Sequence, residues 1–261
     1  PPARSFHFDH DGAIFGMALG TAVGVKNADP NMKFVMGGLA RPEIEYLKAM
    51  KLWAEFHREG DFPADVLNLH HYSNDAGNQG GNPATGISPE ADGLRERFEK
   101  IVRWRDRSLP GKEVWVSEFG YDTNPGSTQR APAIGDAGAE EVQGRWIVRS
   151  YLALAAAGVD RAQLYMLRDV NAANPVQYNS SGLTAENWNQ HQPKRSWHYV
   201  ATLRHVLRGT RFESEIPSGN ANVRIYRFRS EVAPSREVYA VWCPTSNSTE
   251  VRAFTLSLPG V

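Results

Sequence analysis

The chain has 261 residues, with 29 Lys+Arg against 29 Asp+Glu, 41% hydrophobic residues and 22% charged ones. That is an ordinary globular composition, long enough for one large domain or for a domain with a smaller module. The balanced charge supplies no field to draw nucleic acid or an anionic membrane, and the single cysteine, Cys243, excludes an internal disulfide and any cysteine-based zinc cluster.

The first 32 residues hold no convincing strand and are expected to supply a helix and a turn. From Lys33 one unit recurs: a short apolar strand, a loop, then an amphipathic helix. "KFVMGGL" (Lys33 to Leu39) reads as the first strand. Its helix, from Pro42 to Arg58, places Ile44 and Leu47 near one face, with Pro42 suited to the first turn. "DVLNLHHYS" (Asp65 to Ser73) is the second strand, followed by a Gly-rich loop and the helix "SPEADGLRERFEKIVRWRDR". Ser88 is its expected N-cap and Pro89 its first residue. The basic "RWRDR" (Arg103 to Arg107) is read as a solvated helix face.

"EVWVSEFGYD" (Glu113 to Asp122) begins as the third strand, and "AEEVQGRWIVRSYLALAAAG" is the next helix, with Gly158 as its stop. The fourth strand is "RAQLYMLRDV" (Arg161 to Val170), followed by a helix from Ser196 to Leu207 that ends at Gly209. The longest apolar run, "YLALAAAGV", is far too short to span a membrane, and no signal peptide is visible. The residues leave the compartment open, with a secreted or periplasmic one favoured over the cytoplasm.

Beyond Gly209 the texture changes. "RFESEI", "NVRIYRFRS", "EVYAVWCP" and "EVRAFTLSL" alternate or run apolar between Pro/Ser/Gly/Asn turns, and Cys243 is expected as a small buried side chain on the third of them. The expected division is residues 1–209 as an α/β domain and 210–261 as a small antiparallel β module. Strands alternating with helices imply parallel pairing with right-handed crossovers. Four such units make half of an eight-fold barrel or most of a small doubly wound sheet. A whole barrel takes about 250 residues, against about 175 between Lys33 and Gly209.

In α/β barrels the reactive groups stand at the C-terminal ends of the strands. Those ends carry His70, His71, Tyr72 and Asn74; Glu118, Tyr121, Asp122 and Asn124; and Arg168, Asp169 and Asn171. Each has a structural reading as well. A strand-end Glu can be solvated or cap a helix, one His of a tandem pair is commonly core, and Arg168 with Asp169 can form an ion pair. Three consecutive strands ending in such groups at one sheet edge favour a site.

These residues resemble the clan A glycoside hydrolases, retaining glycosidases built on a (β/α)8 barrel. "EVWVSEFGYDT" is similar to the seventh strand of that clan, which ends in a nucleophilic Glu followed by Phe/Tyr-Gly. "DVLNLHHYS" resembles the sixth strand, "LYMLRDV" the eighth, and "VKNADPNMKFVMGGL" the entry to the fifth. The texture is closest to family 39, then family 5, and the resemblance spans Val25 to Gly209. It implies the C-terminal half of a barrel, strands five to eight, followed by a β-sandwich.

It also implies Glu118 as nucleophile, Tyr72 as the tyrosine that hydrogen-bonds it, His70 in the sugar subsite and Asp169 as the eighth-strand aspartate. The expected ligand is an oligosaccharide or glycoside. Where the family carries a strand-eight aromatic, often Trp, this chain offers Tyr165 and Met166, so stacking falls to Trp188, Tyr178 or Tyr121.

Retaining chemistry needs a second carboxyl about 5–5.5 Å from the first. The family takes it from an Asn-Glu pair on strand four, and this sequence contains no Asn-Glu. The expected partner is therefore an N-terminal half lying before residue 1, or another chain with which a true half-barrel pairs. A non-catalytic carbohydrate-binding or scaffold protein is the alternative. A third reading takes His70, His71, Glu118 and Asp169 as metal ligands. Adjacent strand histidines point to opposite faces, so no metal and no cofactor is expected.

Overall fold

The computed structural model describes residues 20–60, 62–76, 84–233 and 235–256, with Trp188 described in its backbone only. The expected helix before Lys33 appears as a helical segment over 20–28, while residues 1–19 lie outside the described part.

Three parallel strands form the first sheet, in the order β1 (Val66–His70), β2 (Glu113–Glu118) and β3 (Arg161–Ala162). Residues 33–39 run parallel beside β1, touching it through bridges at Val35–Val66 and Leu39–Leu69. The expected first strand is thus extended but not a regular ladder. One cause is Gly38, over which His70 is packed: a Cβ there would fall 1.9 Å from the His70 Nε2. The fourth expected strand, Arg161 to Val170, is regular over two residues only. Beyond them the Gln163 and Tyr165 amides still donate to Val116 O at 2.8 Å and Phe119 O at 3.0 Å before the chain turns away.

The helices are α1 (Ile44–His57), α2 (Pro89–Asp92), α3 (Leu94–Ser108), α4 (Ala139–Ala156) and α5 (Arg195–Leu207). Ser88 caps α2 as expected, its Oγ accepting from the Ala91 amide at 3.2 Å. The single helix expected from Ser88 onward is split at Gly93, whose left-handed φ of 69° stops α2 and restarts the chain as α3. The split lets Asp92, buried, receive Ser73 Oγ at 3.1 Å and contact His71 Nε2 at 2.6 Å. Gly158 and Gly209, both at positive φ, follow the ends of α4 and α5. Among the described residues no helix is long and apolar enough to cross a membrane.

Leu67, Leu69, Val114 and Val116 are fully buried and join Leu47, Phe98, Ile101, Ile147 and Leu154 in one core between sheet and helices. Each such side chain contributes about 1.5–3 kcal/mol by leaving water. This core holds the strand ends at fixed positions.

The second sheet is antiparallel, with β4 (Thr210–Glu215), β5 (Arg224–Ser230) and β6 (Glu237–Trp242) in chain order. Tyr226 and Phe228 pack with Leu152 of α4 and with Leu203 and Leu207 of α5. The other face carries a charged ladder, in which Arg229 meets Glu213 at 3.0 Å and Glu237 at 2.9 Å. Where a sandwich was expected, the described residues form a single three-stranded sheet. A sandwich needs a second apolar inner face, whereas this sheet spends its apolar face on helices. The fourth expected strand is absent over 250–256, and Cys243 lies just past β6, half-buried rather than buried.

A buried polar joint fastens the two sheets' surroundings together. Glu90 of α2 accepts from Arg149 Nε of α4 at 2.9 Å and from Trp242 Nε1 of β6 at 2.8 Å. The Arg149 guanidinium also donates to Thr245 O at 3.1 Å.

Candidate active site

Strand alternation sends Val114 and Val116 to the helices, and by the same rule Glu118 should follow them. A bulge prevents it. Leu69 pairs with Val116 and His70 with Glu118, leaving Ser117 as an extra residue. Bulges re-aim the side chain that follows them. Glu118 turns to the side of His70, and its carboxylate is about one-quarter exposed, at 28%.

Glu118 Oε2 accepts from the Tyr72 hydroxyl at 3.1 Å and lies 3.4 Å from His70 Nδ1. The other nitrogen of the imidazole, Nε2, meets Ser117 Oγ at 3.0 Å, so one ring bridges both residues of the bulge. Tyr72 is 2% exposed. Burial, then the Glu118 charge beside it, raises its phenol far above the ordinary value, so it stays a donor at every working pH.

Tyr178 packs against Tyr72 with ring centroids 5.1 Å apart, and Tyr165 meets Tyr178 edge-on at 5.7 Å. Burial and then Glu118 push the Tyr178 phenol up to about 12. The three rings form an aromatic wall beside the carboxylate, with Tyr165 the most open at 37% exposed.

Asp122 holds this wall. Expected on the rim, it is instead fully buried. Its Oδ2 accepts from the Tyr178 amide at 3.0 Å and from Ser127 Oγ at 2.5 Å, and its Oδ1 from the Ser180 amide at 3.2 Å. Asn has the same shape but turns one edge into a donor that faces these donors. Asp122→Asn is expected to cost about 2 kcal/mol of stability in urea unfolding, as charge-assisted hydrogen bonds of this kind do. A change below a few tenths would show that the carboxylate charge does not hold the loop.

The other expected site residues are placed elsewhere. Tyr121 is 1% exposed and packs on Trp146 with centroids 5.2 Å apart, so it has no ring face for a ligand. Asp169 is buried, with both oxygens 3.1 Å from Lys194 Nζ and one accepting from the Gly182 amide at 2.7 Å. It is the centre of a structural pair rather than a rim group. The Trp188 side chain lies outside the described residues. His71 faces away from His70, toward Asp92 and Phe98. The four residues of the metal reading therefore do not converge, and among the described residues no group of three His, Cys, Asp or Glu is placed to hold an ion.

Reasoning from the sequence missed Ser117. Its signal was the even spacing of Val114, Val116 and Glu118, which puts a carboxylate on an apolar face unless a residue is inserted.

No protein-family model matches this sequence, and no curated protein matches it. Solved structures do. A family 39 glycoside hydrolase from the gut symbiont Bacteroides cellulosilyticus WH2 is similar with a TM-score of 0.61 at 14% identity, over 89% of this chain and 44% of that one. A GH30 endoxylanase from Clostridium papyrosolvens C71 is similar with a TM-score of 0.50 at 12% identity, over 88% of this chain and 45% of that one. At these identities the likeness is one of fold, shared with glycoside hydrolases. The chain spans less than half the length of either structure.

Proposed function

We propose that this chain is the nucleophile-bearing half of a retaining glycoside hydrolase acting on β-linked sugars. The observation that carries the reading is the disposition of Glu118. One oxygen is held by Tyr72 and His70, while Oε1 has no hydrogen bond among the described residues and is free to attack. The glycosidase fold of the neighbours supports the same reading, as does the place of Glu118 at a C-terminal strand end.

In this reading Glu118 Oε1 bonds to the anomeric carbon as the glycosidic C–O bond breaks, giving a glycosyl ester. A second carboxyl group protonates the leaving oxygen, then takes a proton from water as that water displaces Glu118. Asp122 and Asp169, the nearby strand-end carboxylates, are buried and engaged, so that group comes from outside this chain, in an N-terminal barrel half. Residues 1–209 make up the catalytic half and 210–261 the β module. Tyr165 and Tyr178 offer ring surface to the sugar, with Trp188 a further candidate.

Tyr72 places the carboxylate and keeps water from competing for Oε2. A hydrogen bond to a charged group is worth about 1.5–3 kcal/mol. Tyr72→Phe is therefore expected to lower kcat about 10- to 100-fold with KM little changed. Steady-state kinetics on an aryl β-glycoside check it, and an unchanged kcat removes Tyr72 from the mechanism.

The reading as a whole is tested by the stereochemical course of hydrolysis in the whole polypeptide, followed by NMR. The first-formed sugar should keep the β configuration. Inversion overturns the double displacement. Sugar binding without turnover favours a non-catalytic carbohydrate-binding protein instead.

A further inference from the structure

The His70 ring is fixed on three sides. Its Nδ1 lies 3.4 Å from Glu118 Oε2 and its Nε2 lies 3.0 Å from Ser117 Oγ. The third side is backbone. A Cβ on Gly38 would fall 1.9 Å from Nε2 and 2.6 Å from both Cδ2 and Cε1, so the ring fills the space a side chain there would take. That backbone cannot drift away from β1. The Leu39 amide donates to Asn68 O at 3.0 Å, and the His70 amide donates to Leu39 O at 2.8 Å.

These partners decide where the imidazole proton sits. Oε2 is a carboxylate oxygen that already accepts from Tyr72 at 3.1 Å. A lone pair on Nδ1 would face that charge, so the proton of a neutral ring belongs on Nδ1 and Nε2 is left as an acceptor. Ser117 Oγ has no other hydrogen bond among the described residues, and its own proton is available to Nε2.

Glu118 alone holds this arrangement weakly. Its 3.4 Å contact with Nδ1 is longer than the roughly 2.7–3.2 Å of an ordinary N–H···O bond. With nothing donated to Nε2, the ring can carry its proton there, give it to water, and turn a lone pair on Oε2. A hydroxyl donated to Nε2 closes that route. The residue in question is the one the bulge inserts, unpaired in the ladder between β1 and β2. A bulge needs an extra residue but no hydroxyl, so the strand's geometry does not account for the serine.

We propose that Ser117 is a positioning residue of this site: its hydroxyl donates to His70 Nε2 and holds the ring proton on Nδ1, which then joins the Tyr72 hydroxyl on Glu118 Oε2. The kinetic part of the proposal rests on the reading of Glu118 as nucleophile; the protonation pattern does not. Two donors on Oε2 fix the carboxylate plane and leave Oε1 as the oxygen that attacks. The bulge thus does two things, turning Glu118 to the side of His70 and supplying the group that sets His70. Gly38 completes the device by making room for the ring.

The test is 15N NMR of the whole polypeptide labelled in histidine, in which protonated and unprotonated ring nitrogens give separate signals. His70→Ala identifies the His70 pair. The unsubstituted protein should show Nδ1 protonated and Nε2 bare. Ser117→Ala should move the proton partly to Nε2, and Ser117→Thr, which keeps the hydroxyl, should restore the original pattern. On an aryl β-glycoside Ser117→Ala should lower kcat about 3- to 10-fold, the scale of one neutral hydrogen bond, with KM within about twofold. In a His70→Ala background the same substitution should change kcat by less than about 1.5-fold, because no ring remains for it to act through. If Ser117→Ala does not fold, Gly38→Ala takes its place. Its methyl drives Nε2 off the hydroxyl with both partners still present, and the proton should shift in the same way.

A proton on Nε2 in the unsubstituted protein overturns the proposal, since Ser117 would then be accepting rather than donating. An unchanged nitrogen pattern in Ser117→Ala, or in Gly38→Ala where that variant stands in, overturns it too and leaves Ser117 a space-filling residue. So does a loss of kcat that persists undiminished without His70. A polypeptide that turns over no sugar sinks the nucleophile reading, and the nitrogen signals still decide this one.

Discussion

Replacing Glu118 by Gln in the whole polypeptide lowers kcat on an aryl β-glycoside by on the order of 10⁴-fold or more, the scale seen when a covalent nucleophile is removed. The substitution keeps the shape and leaves an amide oxygen able to accept from Tyr72, so the fold has little reason to change. What it removes is the charge that attacks the anomeric carbon. The expected pattern is therefore a collapse in kcat with KM within a few-fold and an unaltered melting temperature. A variant that retains a tenth of the activity would show that the bulge at Ser117 aims the wrong carboxylate, and the nucleophile would have to be sought elsewhere. Loss of folding alongside activity would be answered by Tyr72→Phe, which perturbs the same carboxylate through Oε2 without removing its charge.

Replacing Lys194 by Met gives the largest expected effect on stability, about 3–5 kcal/mol at neutral pH, the range for stranding one member of a buried ion pair. Lys194 and Asp169 are nearly inaccessible, their side chains 6% and 3% exposed. Lys194 Nζ reaches both Asp169 oxygens, Thr123 Oγ1 at 3.2 Å and Ser180 O at 3.0 Å, so it ties three segments together. The pH dependence has a definite sign. Burial raises the Asp169 carboxyl above its ordinary value, and Lys194 is the chief influence drawing it back down. A folded-state value above the unfolded one gives a contribution that is full below the unfolded value, near 3.8, and is lost as pH rises through the folded one. Without Lys194 the folded value climbs further and the loss grows. The deficit of Lys194→Met should widen from pH 4 to pH 7 in urea melts. A deficit independent of pH, or one under 1 kcal/mol at neutral pH, would mean the pair is solvated.

Much of this architecture was legible because local chemistry decided it. Ser88 and Pro89 mark a helix start, and Gly158 and Gly209 mark helix ends, by backbone rules that need no tertiary contact. The apolar pairs Leu67/Leu69 and Val114/Val116 announce strands buried against helices. Reading failed where a distant partner decided. Asp169 looked like a rim group because Lys194, its partner, is 25 residues away. Tyr121 stands three residues from Glu118 yet is drawn into the core by Trp146. The split at Gly93 was hidden because helical periodicity continues across it, and the bulge because alternation has no symbol for an inserted residue. The charged outer face of β5 was visible in "RIYRFRS", but its alternation was equally compatible with a second sheet.

The buried carboxylate of Glu90 serves a helix of one sheet and a strand of the other at once, through Arg149 and Trp242. Composition draws a border at Gly209, but cohesion does not respect it. A protease that cuts there leaves two pieces still held by a dry ionic contact and by Tyr226 and Phe228 against Leu152. For the same reason residues 210–261 are not an exchangeable cassette. Grafting another module in their place strands Arg149 and Glu90 without the indole and carbonyl that complete them, and any recombined chain has to carry those groups across with the border.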